Sequence, residues 1–316
     1  MAGLSAPSGS IQDTTHNEFS IMIAQPLEAW VAFFRDANLP VLRHTVQELE
    51  RMRPNAENVN GRQLSANILR DPMMTLRVLA YLETNRGARQ MTDITTIERA
   101  IMMIGIIPFF RDFSELPQIE VQLRPHPQAL LGILKVVNRA RRAAQWARDW
   151  AIVRHDLDVD EITLAALLHD FAELLMWCFA PDLAIKVRDT QIANRNQRSA
   201  EIQGELYGVP LFQLKMALAE TWRLPKLLTQ LMDNENAENP RVRNVKLAVD
   251  LARHSANSWT DAALPDDFTG IRDLLHINQQ SLVRRLGVDE ATSTILLTMG
   301  EPPSPDEEAT RNSEAP

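Results

Sequence analysis

One apolar stripe limits what this chain can fold into more than any other feature. Leu130, Ile133, Leu134, Val137, Ala140, Ala144, Ala147 and Ala151 share one face of a helical period. The spacing predicts a helix from about Gln128 to Val153, with that face buried. Composition points the same way. With 11 glycines and two tyrosines among 316 residues, and abundant Leu, Ala, Ile and Arg, helices are favoured over sheets. The expected fold class is all-α and multi-helical.

Before the long helix the pattern breaks into short pieces. Trp30, Phe33, Phe34 and Ala37 form one face, interrupted at Asn38 and Pro40. Val41, Thr45, Leu49 and Met52 form the next, ending at Pro54, and Leu64, Ile68 and Leu69 mark a third. Asp71 is expected to cap a fourth helix, Met73 to Leu82, ended near Asn85 and Gly87. Pro72 suits its first position, where the missing N–H costs nothing. Thr95 to Glu98 reads as a capping box, Thr95 the cap and Glu98 reaching back, opening a fifth helix to Gly105. Residues 114–128, with three prolines and a histidine, read as a connector.

After the long helix, Asp158 to Glu161 reads as a second capping box, opening a helix that runs to about Phe179. Further helices are expected around Ala180–Asn194, Ser199–Leu206, Leu211–Trp222, Lys226–Asp233, Val242–Ser255 and Ser281–Leu286. No fixed repeat is present, which argues against a solenoid. The expected organisation is a tail at 1–20, a five-helix lobe at 21–115 and a second helical lobe at 116–235. A helical C-terminal extension follows at 236–298, then an acidic tail at 299–316.

Charge and cysteine usage exclude several classes. Between Glu301 and Pro316 five acidic residues face one arginine, so half of the net charge of −8 lies in that tail. The remainder is mildly acidic, which disfavours nucleic-acid binding, since that needs concentrated positive charge. A lone cysteine, Cys178, excludes an internal disulfide framework and a multi-cysteine zinc site, and fits a reducing cytoplasm. No stretch approaches 18 uncharged apolar residues, so no membrane span is expected. No basic segment followed by an apolar run opens the chain, so no signal peptide is expected either.

Familiar catalytic patterns are missing. There is no phosphate-cradling glycine loop and no glycine-flanked nucleophilic serine. Cys178, between Trp177 and Phe179, reads as a buried inert thiol. Arg139, Arg141, Arg142 and Arg148 read as a solvated face opposite the apolar stripe, with a phosphate-binding patch as the lesser reading. Trp146, Trp150, Trp177 and Trp222 read as core. The exception is His169-Asp170, which follows Ala165-Ala166-Leu167-Leu168, a setting where a charge needs a partner. Such a doublet can reach one metal ion, or it can make an interhelical hydrogen bond or salt bridge to a nearby arginine. A second doublet, His155-Asp156, lacks that context.

Ala165-Ala166-Leu167-Leu168-His169-Asp170 with Glu173-Leu174-Leu175 resembles the second motif of the HD superfamily of metal-dependent phosphohydrolases. More of the chain is similar to the HDOD domain, the HD-related output domain of bacterial signalling proteins. The matching pieces are Leu39-Pro40, Ile68 with Asp71-Pro72-Met73, Arg77-Val78-Leu79, and Asn85. They continue through Thr96-Ile97, Ala100-Ile101, Ile104-Gly105, and then Ala219, Trp222 and Leu224-Pro225. The resemblance spans about residues 30–235.

It implies an all-α fold with an N-terminal five-helix lobe and an HD-like lobe, and it implies a regulatory role. The chain departs from a working HD hydrolase in its ligands. The helix that should supply the first histidine reads Leu134-Lys135-Val136-Val137-Asn138-Arg139, and Met232-Asp233-Asn234 stands where relatives carry later ligands. Two ligands fall short of the four to six such ions take. The reading is therefore a non-catalytic signalling module, without metal or cofactor, binding an unidentified signalling protein or small ligand. A degenerate site is expected at His169, Asp170 and Asn138, with Arg139, Arg142 and Glu173 as a ligand or partner surface. The alternative is a residual metal-dependent phosphohydrolase acting on a nucleotide or cyclic dinucleotide. A nucleic-acid-binding regulator using the arginines is weaker.

Overall fold

In a computed structural model, the described residues are 24–84, 94–194 and 197–298. They form helices joined by short loops, with no strand among them beyond one isolated parallel bridge between Val41 and Gln118. The two expected tails and Asn85 lie outside the described residues.

The first five expected helices form: α1 (Leu27–Arg35), α2 (Arg43–Met52), α3 (Gly61–Ile68), α4 (Pro72–Thr84) and α5 (Ile97–Ile104). Asp71 caps α4 as expected, its Oδ1 accepting the N–H of Met73 at 2.9 Å and of Met74 at 3.2 Å. The cap of α5 lies one residue later than expected, which puts Arg99 rather than Glu98 at the third helical position and removes the capping box. Thr96, not Thr95, is the cap and accepts from Arg99 N at 3.3 Å, while the Thr95 hydroxyl donates to Glu161 Oε1 at 2.6 Å.

Two helices arise where the sequence reads as breakers. Gly105, at φ 82°, turns the chain straight from α5 into α6 (Ile106–Asp112). Pro108 falls in the first turn of α6, where its missing N–H has no intrahelical partner to lose. The connector holds the short α7 (Ile119–Gln122), pinned by Val41, whose N–H donates to Pro117 O and whose carbonyl accepts from Ile119 N, both at 2.9 Å.

The long helix is α8 (Pro127–Val153). Ile133, Val137, Ala140, Ala144, Ala147 and Ala151 are buried, and Leu130 and Leu134 are half-buried. Ala129, Val136, Ala143, Trp146 and Trp150 are buried as well. The helix is covered on more than its stripe because α9 (Val159–Leu168), α10 (Phe171–Phe179), α11 (Pro181–Ala193) and α15 (Pro240–His254) all pack on it.

The helix expected to run on to Phe179 is two helices. Asp170, at φ −103° and ψ 25°, breaks it between α9 and α10. Asp158 gives α9 no side-chain cap, because its carboxylate pairs with Arg241 on α15 instead. By length and composition alone the stretch Val159–Phe179 is apolar enough to cross a membrane (mean hydropathy 1.5), but it is broken at Asp170 and 78% of the qualifying window is buried as core.

The remaining helices are α12 (Ser199–Tyr207), α13 (Leu211–Thr221), α14 (Lys226–Leu231), α16 (Leu264–Leu275), α17 (Gln279–Leu286) and α18 (Glu290–Thr298); α16 and α18 were not expected, although Leu264, Phe268, Ile271 and Leu275 give α16 a helical period. The segment expected as a C-terminal extension opens with α15, which packs along α8 and α9. One continuous apolar core runs from Trp30 to Leu296.

Candidate functional site

The α9–α10 break is where several elements converge. His169 is 6% exposed and lies at the end of the apolar α9. Its Nδ1 is 2.9 Å from Asp170 Oδ1, which fixes Nδ1 as the protonated nitrogen and leaves a lone pair on Nε2. From α13, Lys215 brings its Nζ to 3.4 Å from that Nε2 and donates to Met232 O at 2.9 Å. The amide of Asn234 stands 3.2 Å from Nε2 and can offer nitrogen or oxygen by a half-turn.

Asp170 is held from two further helices. Arg139 of α8 donates through Nη2 to Asp170 Oδ2 at 2.8 Å and to Glu173 Oε2 at 2.6 Å. Arg253 of α15 donates to Asp170 Oδ1 at 3.5 Å. Burial opposes ionisation of Asp170, but Arg139, Arg253 and the His169 hydrogen bond outweigh it and hold the carboxyl well below its ordinary range. Burial likewise opposes the charge on Arg139, and Glu173 and Asp170 overcome it. His169 is pushed down by burial and by the Lys215 charge, so the ring is neutral near pH 7. Burial pushes Lys215 down to about 8, with Asp170 opposing and Arg253 adding to the effect. Three cationic side chains and two carboxylates thus surround one neutral imidazole. The salt bridge from the doublet to an arginine is formed.

Asn138 is not part of this site. It faces solvent on α8, and its neighbour Arg139 points at the doublet instead, because one residue along a helix is a rotation of about 100°. Of the arginines read as a solvated face, Arg148 is exposed, Arg141 and Arg142 are half-buried, and Arg139 turns inward. Arg139 is largely buried, and Arg141 donates to Arg70 O. Arg142 lies over Trp146 at 4.7 Å and Trp259 at 5.6 Å, and Arg148 pairs with Asp160 at 2.7 Å. Arg139 and Glu173 belong to the buried network, while Arg142 belongs to a separate cation–π cluster.

Lys215 and Arg253 were not singled out in the sequence. Lys215 had a signal, since it interrupts the apolar face Leu211, Leu214, Leu218 and Trp222, where an ammonium has no solvent. Arg253 had none, being 83 residues from Asp170. Of the other residues considered, Cys178 is buried and its thiol is pushed up by burial. His155-Asp156 forms no site: His155 has φ 58° and Asp156 pairs with Arg154. Trp146, Trp150, Trp177 and Trp222 are all core. Among the described residues no three His, Cys, Asp or Glu side chains gather into a metal-ligand set. A groove of about 360 Å³ opens elsewhere, between α1 and α13, lined by Leu27, Val31, Ala32, Arg35, Ala217 and Thr221.

Comparison with known proteins places this architecture. The MmoQ response regulator of Methylococcus capsulatus str. Bath superposes with a TM-score of 0.60 at 17% identity, covering 81% of this chain and 100% of its own. A virulence factor of Campylobacter jejuni subsp. jejuni superposes with a TM-score of 0.62 at 18% identity, covering 87% of this chain and 98% of its own. At these identities the likeness is one of fold. No curated protein matches the sequence. The HDOD domain family model matches residues 39–238, opening at the Leu39-Pro40 step and closing just after the turn that carries Asn234. The match covers well over half the chain and contains the whole set of motifs read above except the region before Leu39, so this chain belongs to the HDOD domain family.

Proposed function

We propose that the chain is a non-catalytic regulatory module of bacterial signal transduction, acting in the cytoplasm by binding a partner protein or a small ligand. The observation that carries this reading is the Lys215 ammonium 3.4 Å from His169 Nε2, the one imidazole nitrogen free to ligate. HD-type hydrolysis needs a divalent ion that acidifies a bound water. Here the donors do not fit such an ion. They are one imidazole, a carboxylate already held by two guanidiniums, one side-chain amide and one main-chain carbonyl. A dication about 4 Å from an ammonium meets roughly 8 kcal/mol of repulsion at an effective dielectric of 20. That is comparable to the ligation it would gain from a structural site. The response-regulator name of MmoQ, whose fold the chain shares, supports a signalling role.

The test is turnover of nucleotide monophosphates, triphosphates and cyclic dinucleotides by the full chain with added manganese. No hydrolysis is expected. Metal-dependent turnover that Asp170→Ala abolishes would overturn the reading in favour of a phosphohydrolase.

A further inference from the structure

We infer that the outward face of α8 between Leu131 and Arg142 is a docking surface whose partner is an acidic helix of another protein. The inference rests on the regulatory reading above and adds the face used and the chemistry of what covers it.

The period of α8 sets the face. Leu131, Lys135, Asn138 and Arg142 follow one another at steps of four, three and four residues, within about 60° of one another and over about 16 Å of helix. The helices α9, α10, α11 and α15 pack on other sides of α8 and leave these positions open. Leu131 is 63% exposed, Lys135 and Asn138 are exposed, and Arg142 is half-buried.

Two observations say what covers the face. First, its charges are unmatched. Elsewhere on α8 the arginines find partners within the chain: Arg139 pairs with Asp170 and Glu173, Arg141 donates to Arg70 O, and Arg148 pairs with Asp160. Lys135 and Arg142 have no hydrogen bond or ion pair among the described residues, although acids outnumber bases 41 to 33 in the chain. Second, Arg142 is held in place. Its guanidinium lies over the rings of Trp146 and Trp259, 4.7 and 5.6 Å from their centres, and the two indoles meet at 6.3 Å. Stacking uses the flat side of the guanidinium and leaves its N–H edge for a carboxylate, which it can grip through two parallel bonds. Tryptophan and arginine are also the residues enriched where interface binding energy concentrates. Lys135 and Arg142 stand about 10 Å apart along the axis, the spacing of two carboxylates seven residues apart on a facing helix. Leu131 adds an apolar contact one turn beyond Lys135.

The probe is an alanine-based helical peptide with one leucine, a glutamate four residues on and a second glutamate seven residues after that. It is made in both sequence orders, with a glutamine-for-glutamate version as control. Tryptophan emission of the full chain, to which Trp146 and Trp259 contribute, reports binding. One order of the glutamate peptide should saturate the signal, and its glutamine version should bind at least about tenfold more weakly. Arg142→Gln should weaken binding about tenfold and Lys135→Gln about threefold, while Arg148→Gln, on another side of α8, should leave it unchanged. Lys135→Glu, at an exposed position, should weaken it further than Lys135→Gln and decides the matter if Arg142→Gln does not fold. Binding indifferent to Arg142 and Lys135, equal binding of the glutamine peptide, or no saturation in either order would overturn the inference. Self-association of the chain that Lys135→Glu abolishes would also overturn it, by giving the face to a second copy. Inorganic phosphate bound more tightly than the peptide at constant ionic strength would do the same in favour of a small anion. The proposed function fails separately, through metal-dependent turnover by wild type.

Discussion

Asp71 shows how far one buried carboxylate can outgrow its local role. Beyond capping α4, its Oδ2 accepts from Leu42 N and Thr45 Oγ1, both at 2.8 Å, so it joins the start of α2 to the start of α4. A lost cap alone costs about 1 kcal/mol. Here four buried donors lose their acceptor together, and leaving buried donors unpaired costs about 1–3 kcal/mol each before relaxation. Asp71→Ala is therefore expected to lower stability by about 4 kcal/mol in denaturant melts. A loss of 1 kcal/mol or less would reduce the residue to a cap. Lys215 carries a pH dependence of definite sign. Its ammonium is pushed down to about 8 from 10.5, so between those values the unfolded chain holds a proton that the folded chain has released. Stability from this group is present above the ordinary value and is lost as pH falls through about 8. The facing groups are His169, Asp170, Arg253 and Asp233. Relative to Lys215→Met, wild type should gain up to about 3 kcal/mol between pH 8 and 10.5. Parallel pH profiles of the two proteins would show that burial does not depress the Lys215 ammonium.

At the scale of elements, helix packing reverses an intrinsic preference. Gly132 sits inside α8, where alanine would ordinarily gain up to about 1 kcal/mol. A Cβ there would stand 2.6 Å from Cη2 and Cζ3 of Trp177, a buried ring on α10. Forcing an extra carbon into a packed core costs about 1–3 kcal/mol, so repulsion wins. Gly132→Ala should lower the melting temperature, and a rise would mean that the indole can swing away. The contact lets α8 and α10 approach closely two turns away from the doublet. The break between α9 and α10 follows comparable logic. The apolar run through Leu168 favours a continuous helix, yet the Asp170 side chain is drawn toward Arg139 and Arg253 on two other helices, and the backbone yields at that residue.

Across the whole molecule, a helix that lies outside the family match packs on the later half of it. The indole of Trp30 on α1 donates to Tyr207 O at 2.9 Å, and Gln25 N donates to the same oxygen at 3.0 Å. Phe34 meets Trp30 at 5.7 Å and Phe179 at 5.7 Å between ring centres. Gly208, at φ 81°, allows the approach, since a Cβ there would fall 2.5 Å from Gln25 O. Thus α1, though first in sequence, packs on α13 and against α10. Trp30→Ala is expected to cost about 3–5 kcal/mol. It should also speed amide exchange in α13, not only in α1. Loss of protection confined to α1 would show that the N-terminal helix is an appendage.

The sequence by itself determined the class, most helices, the tryptophan core, the Asp71 cap and the family. These depend on period, on local capping and on motifs within one or two turns, all of which are written along the chain. It read the cap of α5 one residue early, because adjacent threonines offer equivalent hydroxyls and only the Glu161 carboxylate, 66 residues on, takes Thr95 away. It placed Asn138 in the site and missed Lys215 and Arg253, because a helix face is chosen by what packs against it rather than by its own period. The tertiary structure alone decided which charges meet. A buried ammonium from α13 and the Arg139 guanidinium from α8 meet the His169-Asp170 doublet only when the folded core has removed the water that would otherwise serve them.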